Sequence, residues 1–197
     1  MSKRLLRENI FAWGSFILFI KKPDDSWRIC VDYRHVNARI RKNAYPLPLI
    51  QKCIDQLNKA RYLSRIDLIN EYWQIRIKES DIPKTTFNTR NDKYEFLIMS
   101  FDLINASTTF QIFINKIFRS FLNKFVIAYL DDIVIYSNFC QEHIQYLRQV
   151  LDLLQENQLY AKFHKCMFDK SELNFCEHVV GNDVVRMMNS KIKSIRE

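Results

Sequence analysis

Apolar residues recur at helical spacing at Phe110, Phe113, Ile114, Ile117, Phe118 and Phe121, one wide face that predicts a helix packed under a sheet. Asn105, Ser107 and Thr108 stand before it as candidate N-caps. A second helix is expected over about 141–157, with Ile144, Leu147, Leu151 and Leu154 as its buried stripe. A third follows Tyr45-Pro-Leu-Pro48 and runs to about Ala60, with proline at its start, where a missing N–H costs nothing. Residues 61–68, 72–78, 85–89 and 94–99 read as short strands rich in Ile, Tyr, Phe and Thr. Residues 10–20 read as a buried strand that ends in the basic turn Lys21-Lys-Pro-Asp24. Short strands alternate with polar residues to about Val185, and Ser190–Glu197 is expected to begin a helix. The elements mix without a regular βαβ repeat, so the expected class is α+β.

Composition narrows the picture. The 197 residues include 15 Phe and 9 Tyr, which exclude a disordered chain. With 30 basic against 22 acidic residues, the net charge of +8 points to a polyanionic partner. Between Lys21 and Lys42 lie seven basic residues and three acidic ones, with Trp27, Tyr33 and Tyr45 among or just after them. Basic groups beside aromatic platforms suit a nucleic acid or nucleotide. Five cysteines without a C-x-x-C pair argue for reduced thiols and against a disulfide framework or zinc ribbon. The apolar run 10–20 is not followed by a cleavage site, and it falls short of the roughly 20 residues that span a bilayer. An intracellular, non-secreted protein without a membrane segment is expected. Only two glycines occur, Gly14 and Gly181, where a typical frequency of about 7% would supply roughly 14. Turns must form without the residue that makes them most readily.

The segment Phe125-Val-Ile-Ala-Tyr-Leu-Asp-Asp-Ile-Val-Ile-Tyr-Ser137 places Asp131-Asp132 between two apolar runs, as two buried strands joined by a two-residue turn. Adjacent carboxylates beside buried strands repel each other and are costly to desolvate unless a cation lies between them. Magnesium is the natural candidate, since it takes oxygen ligands and keeps water for a phosphate substrate. Asp67, at the end of Leu63-Ser-Arg-Ile-Asp67, supplies a third carboxylate for a two-metal phosphoryl-transfer site. An exposed Asp-Asp turn with no function remains the alternative at this level.

Tyr129-Leu-Asp-Asp132 resembles the Tyr-x-Asp-Asp box of reverse transcriptases. Further segments resemble the gypsy-type LTR retrotransposon subfamily: Ser26-Trp-Arg-Ile-Cys-Val-Asp-Tyr-Arg34, Asn43-Ala-Tyr-Pro-Leu-Pro48, Ser64-Arg-Ile-Asp-Leu68, Tyr72-Trp-Gln-Ile-Arg-Ile77, Tyr94-Glu-Phe-Leu97, Asn105-Ala106, Thr109-Phe-Gln111 and Leu159-Tyr-Ala-Lys162. They occur in the family's order from about Trp13 to the end of the chain. The resemblance implies the fingers and palm of a right-hand polymerase without the thumb. Fingers elements are expected mainly over about 10–60 and 80–100, palm over about 61–79 and 101–185, and the start of a following segment over 186–197. It implies an RNA-directed DNA polymerase domain of a Pol polyprotein whose thumb, ribonuclease H and integrase lie elsewhere. The partners would be an RNA or DNA template with its primer and deoxynucleoside triphosphates.

Roles carry over by position. Asp67, Asp131 and Asp132 match the catalytic carboxylates, which with the carbonyl of Leu68 would hold two Mg2+ ions, or Mn2+ in their place. Lys22 and Arg28 match the grip on the triphosphate, and Leu68 and Tyr72 border the nucleotide, Tyr72 as the steric gate. Phe175, Cys176, Glu177 and His178 match the primer-gripping hairpin. The chain departs from the family at Asp25, Glu71, Asp102 and Glu177, which stand where the family has glycine, and at Ser100 and Ser107, where it has proline. These changes suggest a decayed, non-catalytic copy as the alternative, with Asp102 forced into a turn that favours positive φ. An unrelated two-aspartate cyclase is disfavoured because the fingers segments match as well.

Overall fold

Runs of β-branched residues on either side of Leu130 and Asp131 form a hairpin that is buried on both faces, with Val126, Ile133, Val134 and Ile135 fully enclosed. The computed structural model of the chain describes residues 5–21 and 25–187. In chain order the strands are β1 (Leu6–Glu8), β2 (Ser15–Lys21), β3 (Trp27–Val31), β4 (Tyr62–Asp67), β5 (Phe87–Asn88), β6 (Lys93–Phe96), β7 (Val126–Tyr129), β8 (Asp132–Ser137), β9 (Met167–Lys170), β10 (Leu173–Phe175), β11 (His178–Gly181) and β12 (Val184–Met187). The α-helices are α1 (Arg34–Asn37), α2 (Ile50–Asn58), α3 (Ala106–Ile117) and α4 (Cys140–Glu156). The expected helix at 190–197 lies outside the described residues.

Two compact units form, Met1–Ala44 with Asn70–Phe110, and Tyr45–Ile69 with Gln111–Glu197. In the first, five strands make a mixed sheet in the order β1-β6-β5-β2-β3. Its core gathers Val31, Tyr33 and Phe87, and the Tyr33 hydroxyl donates to the Thr85 carbonyl at 2.7 Å. Strand β2 is not buried as expected, for Phe16 and Phe19 are exposed, because β2 and β3 form the outer hairpin of this sheet. Residues 72–78 are not a strand either. Glu71–Gln74 forms a 3-10 turn and Arg76 makes only an isolated bridge to Ile98.

In the second unit four antiparallel strands are ordered β7-β8-β4-β9. One face is covered by α2 and the β10–β11 hairpin, where Cys53, Ile54 and Leu57 meet Leu63, Val134 and Phe175. This packing places residues 45–60, expected among the fingers elements, in the second unit. Helix α4 lies against β8 and β4, but it buries His143, Val150 and Leu154. Ile144 and Leu151, expected in its stripe, are exposed. The helix is turned by about one residue because His143 is bonded inward to Ser64 and Ser137.

The shortage of glycine is met by other residues. Among the described residues, ten non-glycine residues hold positive φ, and six of them are Asp or Asn, the types that best tolerate that region. Gly181, at φ 130, has no substitute, because a Cβ there would lie 2.2 Å from the Ser171 carbonyl oxygen.

Candidate active site

Strand β4 ends where β8 begins, and Asp67 is paired directly with Asp132. Opposed residues of antiparallel strands share one face, with Cα atoms about 4.5–5.5 Å apart. Asp132 is also paired with Tyr129, so the turn between β7 and β8 is Leu130-Asp131 rather than the two aspartates. Asp131 is therefore exposed at the tip while Asp132 and Asp67 are half-buried. Leu130 has φ 49, a left-handed conformation that costs a residue with a Cβ about 1–2 kcal/mol. Gln111 holds it there. Its Oε1 accepts the Leu130 N–H at 2.8 Å, and its Nε2 donates to the Ala128 carbonyl at 3.0 Å.

Burial pushes the Asp132 carboxyl above its ordinary value, with Asp67 adding to the rise and Arg65 opposing it. The Arg65 guanidinium is 3.9 Å from Asp132 and donates to the Asn174 carbonyl at 3.2 Å. Among the described residues, the ion pair at these two facing carboxylates is this loose one, which leaves an excess of negative charge at the strand ends. Leu68 forms an isolated antiparallel bridge with Ala161, flanked by Lys162 N–H to the Asp67 carbonyl and Ile69 N–H to the Tyr160 carbonyl, both 2.8 Å. In such a pattern the peptide groups of Leu68 itself point to the opposite edge of β4, where β8 lies. The donors at this end are all oxygens, which fit a hard divalent cation. Among the described residues, however, no three His, Cys, Asp or Glu side chains are gathered into a formed metal cluster. Among the described residues, Asp67, Asp131 and Asp132, expected as one cluster, stand at neighbouring backbone positions without forming such a group.

The remaining candidates divide between the two units. Lys22 lies outside the described residues. In the first unit, Arg28 is exposed on β3, with its guanidinium 5.6 Å from the centre of the Phe101 ring. Tyr72, in the 3-10 turn, is half-buried with its ring 5.5 Å from that of Phe110. In the second unit, Phe175 pairs with His178, and Cys176 and Glu177 form the turn between them with φ 44 and 67. Phe175 is a core residue, Glu177 is exposed, and Cys176 and His178 are half-buried. Burial, with Asp132 next in effect, pushes the Cys176 thiol up to about 12. His178 Nδ1 bonds the Cys176 carbonyl at 2.8 Å.

Asp25 and Glu177 hold positive φ, as a position favouring glycine would, but Asp102 and Glu71 do not. The expectation of a strained Asp102 is therefore overturned. Its carboxylate accepts the Val31 N–H at 3.0 Å, and burial raises its pKa. Two residues that sequence reasoning passed over are Gln111 and Arg65. The signal for Gln111 was an amide directly after Phe110, beside the apolar stripe. For Arg65 it was a cation two positions before Asp67, hence on the same strand face.

The reverse transcriptase (RNA-dependent DNA polymerase) family matches residues 20–178. The chain belongs to this family. It is 36% identical over 200 residues to a retrovirus-related Pol polyprotein from transposon 297 of Drosophila melanogaster, covering 99% of the chain and 19% of that protein. It is 44% identical over 128 residues to an RNA-directed DNA polymerase homolog of Oenothera berteroana, covering 64% of the chain and 90% of that protein. The chain therefore spans about a fifth of the transposon polyprotein. Its fold matches that of a foamy viral protease-reverse transcriptase in complex with double-stranded DNA, with a TM-score of 0.89 at 20% identity over 98% of the chain and 34% of the viral protein. A complex of the viral enzyme with an RNA/DNA hybrid gives a TM-score of 0.88 at 20% identity, over 98% of the chain and 26% of that protein. The family and the mixed α/β fold of sheets packed on helices are those expected from the Tyr129–Asp132 box and its flanking segments.

Proposed function

We propose that this domain extends a primer with deoxynucleotides on an RNA or DNA template, as part of a retrotransposon Pol polyprotein. The observation that carries the reading is the direct pairing of Asp67 with Asp132, one residue from Asp131 on the turn. Asp67, Asp131, Asp132 and the Leu68 carbonyl would hold two divalent ions, Mg2+ or Mn2+. Such ions, when bound, lower the pKa of the primer 3′-hydroxyl and stabilise the leaving pyrophosphate. The carboxylates supply the negative charge that attracts these ions, and the partial burial of Asp132 removes water that would compete for its oxygens.

Arg28 is assigned to the triphosphate, because a guanidinium fork matches phosphate oxygens, and Lys22 is assigned with it. Tyr72 is assigned to the sugar, where its ring would exclude a 2′-hydroxyl. Cys176, Glu177 and His178 are assigned to the primer strand, with Phe175 anchoring their turn in the core. The chain's net charge of +8 favours the phosphate backbone of a template and primer, and the viral neighbours were seen with DNA and with an RNA/DNA hybrid. Extension of a labelled DNA primer annealed to RNA, with deoxynucleotides and Mg2+, tests the reading. A product absent from the parent chain and from a Glu71→Gly, Glu177→Gly variant would favour a non-catalytic domain instead.

A further inference from the structure

The Leu130-Asp131 turn is held by a chain of side-chain hydrogen bonds that no catalytic role explains. The Tyr45 hydroxyl accepts from Asn115 Nδ2 at 3.0 Å, and Asn115 Oδ1 accepts from Gln111 Nε2 at 2.9 Å. Gln111 then grips both sides of the turn, donating to the Ala128 carbonyl and accepting from the Leu130 N–H. Gln111 is fully buried, so its amide has no water to fall back on. Both N–H groups of its amide are engaged, one by Asn115 and one by Ala128. This fixes which end of the amide faces Leu130, since a flipped amide would point N–H at N–H. Leu130 holds positive φ without the freedom of glycine, so the Gln111 bond keeps the turn in a conformation it would otherwise leave. Asp131 is the next residue, and its direction follows from that turn.

Resting on the proposed metal site, we propose that Gln111, oriented by Asn115 and Tyr45, is a positioning residue that sets the divalent-ion affinity of Asp67, Asp131 and Asp132 by fixing the Leu130-Asp131 turn. Loss of a group that orients metal ligands typically weakens metal binding about 10–100-fold. Mn2+ binding to the 197-residue chain, followed by electron paramagnetic resonance, tests this without any turnover. The Asp131→Asn variant defines the component that belongs to the site. Gln111→Met, which keeps the volume and loses both bonds to the turn as well as the one to Asn115, is expected to weaken that component by about 10–100-fold while circular dichroism stays unchanged. Adding Leu130→Gly to Gln111→Met is expected to recover most of the loss, because glycine holds the left-handed turn unaided.

Should Gln111→Met not fold, Asn115→Leu leaves Gln111 in place and removes the acceptor of one of its buried N–H groups, with a smaller loss in the same direction expected. A folded Gln111→Met or Asn115→Leu with parental Mn2+ affinity overturns the proposal. So does a loss that Leu130→Gly does not repair. A parent chain whose Mn2+ binding is untouched by Asp131→Asn overturns the metal-site reading itself, and the positioning role with it.

Discussion

The Asp102 carboxylate accepts the backbone N–H of Val31 at 3.0 Å, across 71 residues of sequence. Val31 is buried at the end of β3, and Ser100 Oγ lies 3.3 Å from the same carboxylate oxygen. An acid at a position where the resemblance implies glycine is thus part of the first unit's structure. Asp102→Gly should therefore lower stability, by about 1–3 kcal/mol for a buried N–H left without its acceptor. Thermal unfolding of the variant beside the parent measures this, and a variant that melts at or above the parent would return Asp102 to the class of strained replacements.

Asp132 makes the metal-free chain sensitive to pH. Burial, with Asp67 next to it, raises its carboxyl above the ordinary 3.8. Between that value and the raised one, the folded chain holds more protons than the unfolded chain, so stability falls as pH rises through this window and stays reduced above it. Asp132→Asn should consequently melt higher than the parent near about pH 7.5 in a chelator, and the difference should vanish below the ordinary carboxyl pKa of about 3.9. Equal melting at both pH values would mean that Arg65 already offsets the buried charge.

His143 acts with the opposite sign. Ser64 Oγ accepts the Asp169 N–H at 3.0 Å, so its own proton is available to His143 Nε2 at 2.8 Å. Ser137 donates to the Phe139 carbonyl at 3.2 Å and takes the proton of His143 Nδ1 at 3.0 Å. This arrangement suits the neutral ring with its proton on Nδ1. Burial lowers the pKa of His143 below the ordinary 6.5, against a smaller opposing effect of Asp169. The unfolded chain then takes up the proton first, and stability is lost as pH falls below 6.5. Denaturant unfolding at about pH 7.5 and 5.5 should show this loss in the parent and a weaker one in His143→Gln, on either side of the ordinary histidine pKa. Parallel losses in both would remove His143 as the source.

Tyr72 has a core-like neighbour in Phe110 and an assigned place at the sugar. The two roles separate on substitution. Tyr72→Ala should admit ribonucleotides, read as the ratio of ribonucleotide to deoxynucleotide incorporation on one template. A lower melting point with an unchanged ratio would leave Tyr72 a packing residue alone.

The β7–β8 hairpin was legible because continuous apolar runs on both sides of a polar pair have few other solutions. The position of its turn was not. Aspartate is a good turn former, so Asp131-Asp132 looked like the bend, but the bond from Leu130 N–H to Gln111 moves the bend back by one residue. The same limit explains α4, whose inward face is set by His143 and by Ser64, 79 positions away. A polar residue reads as exposed until its buried partner is known. Residues 72–78 misled for a different reason. Their aromatic and branched content suits a strand, yet a 3-10 turn begins after Asn70 at φ 43.

The most direct test is single-nucleotide extension of a DNA primer on a defined RNA template with Mg2+, comparing the parent with Asp67→Asn and Asp131→Asn. Parental extension with a loss of at least about 10²–10³-fold in each variant, the scale of removing one group that stabilises transition-state charge, is the predicted result, with both variants still folded by circular dichroism. Extension by both variants at the parental rate would contradict the account and place the chemistry away from the β4–β8 strand ends.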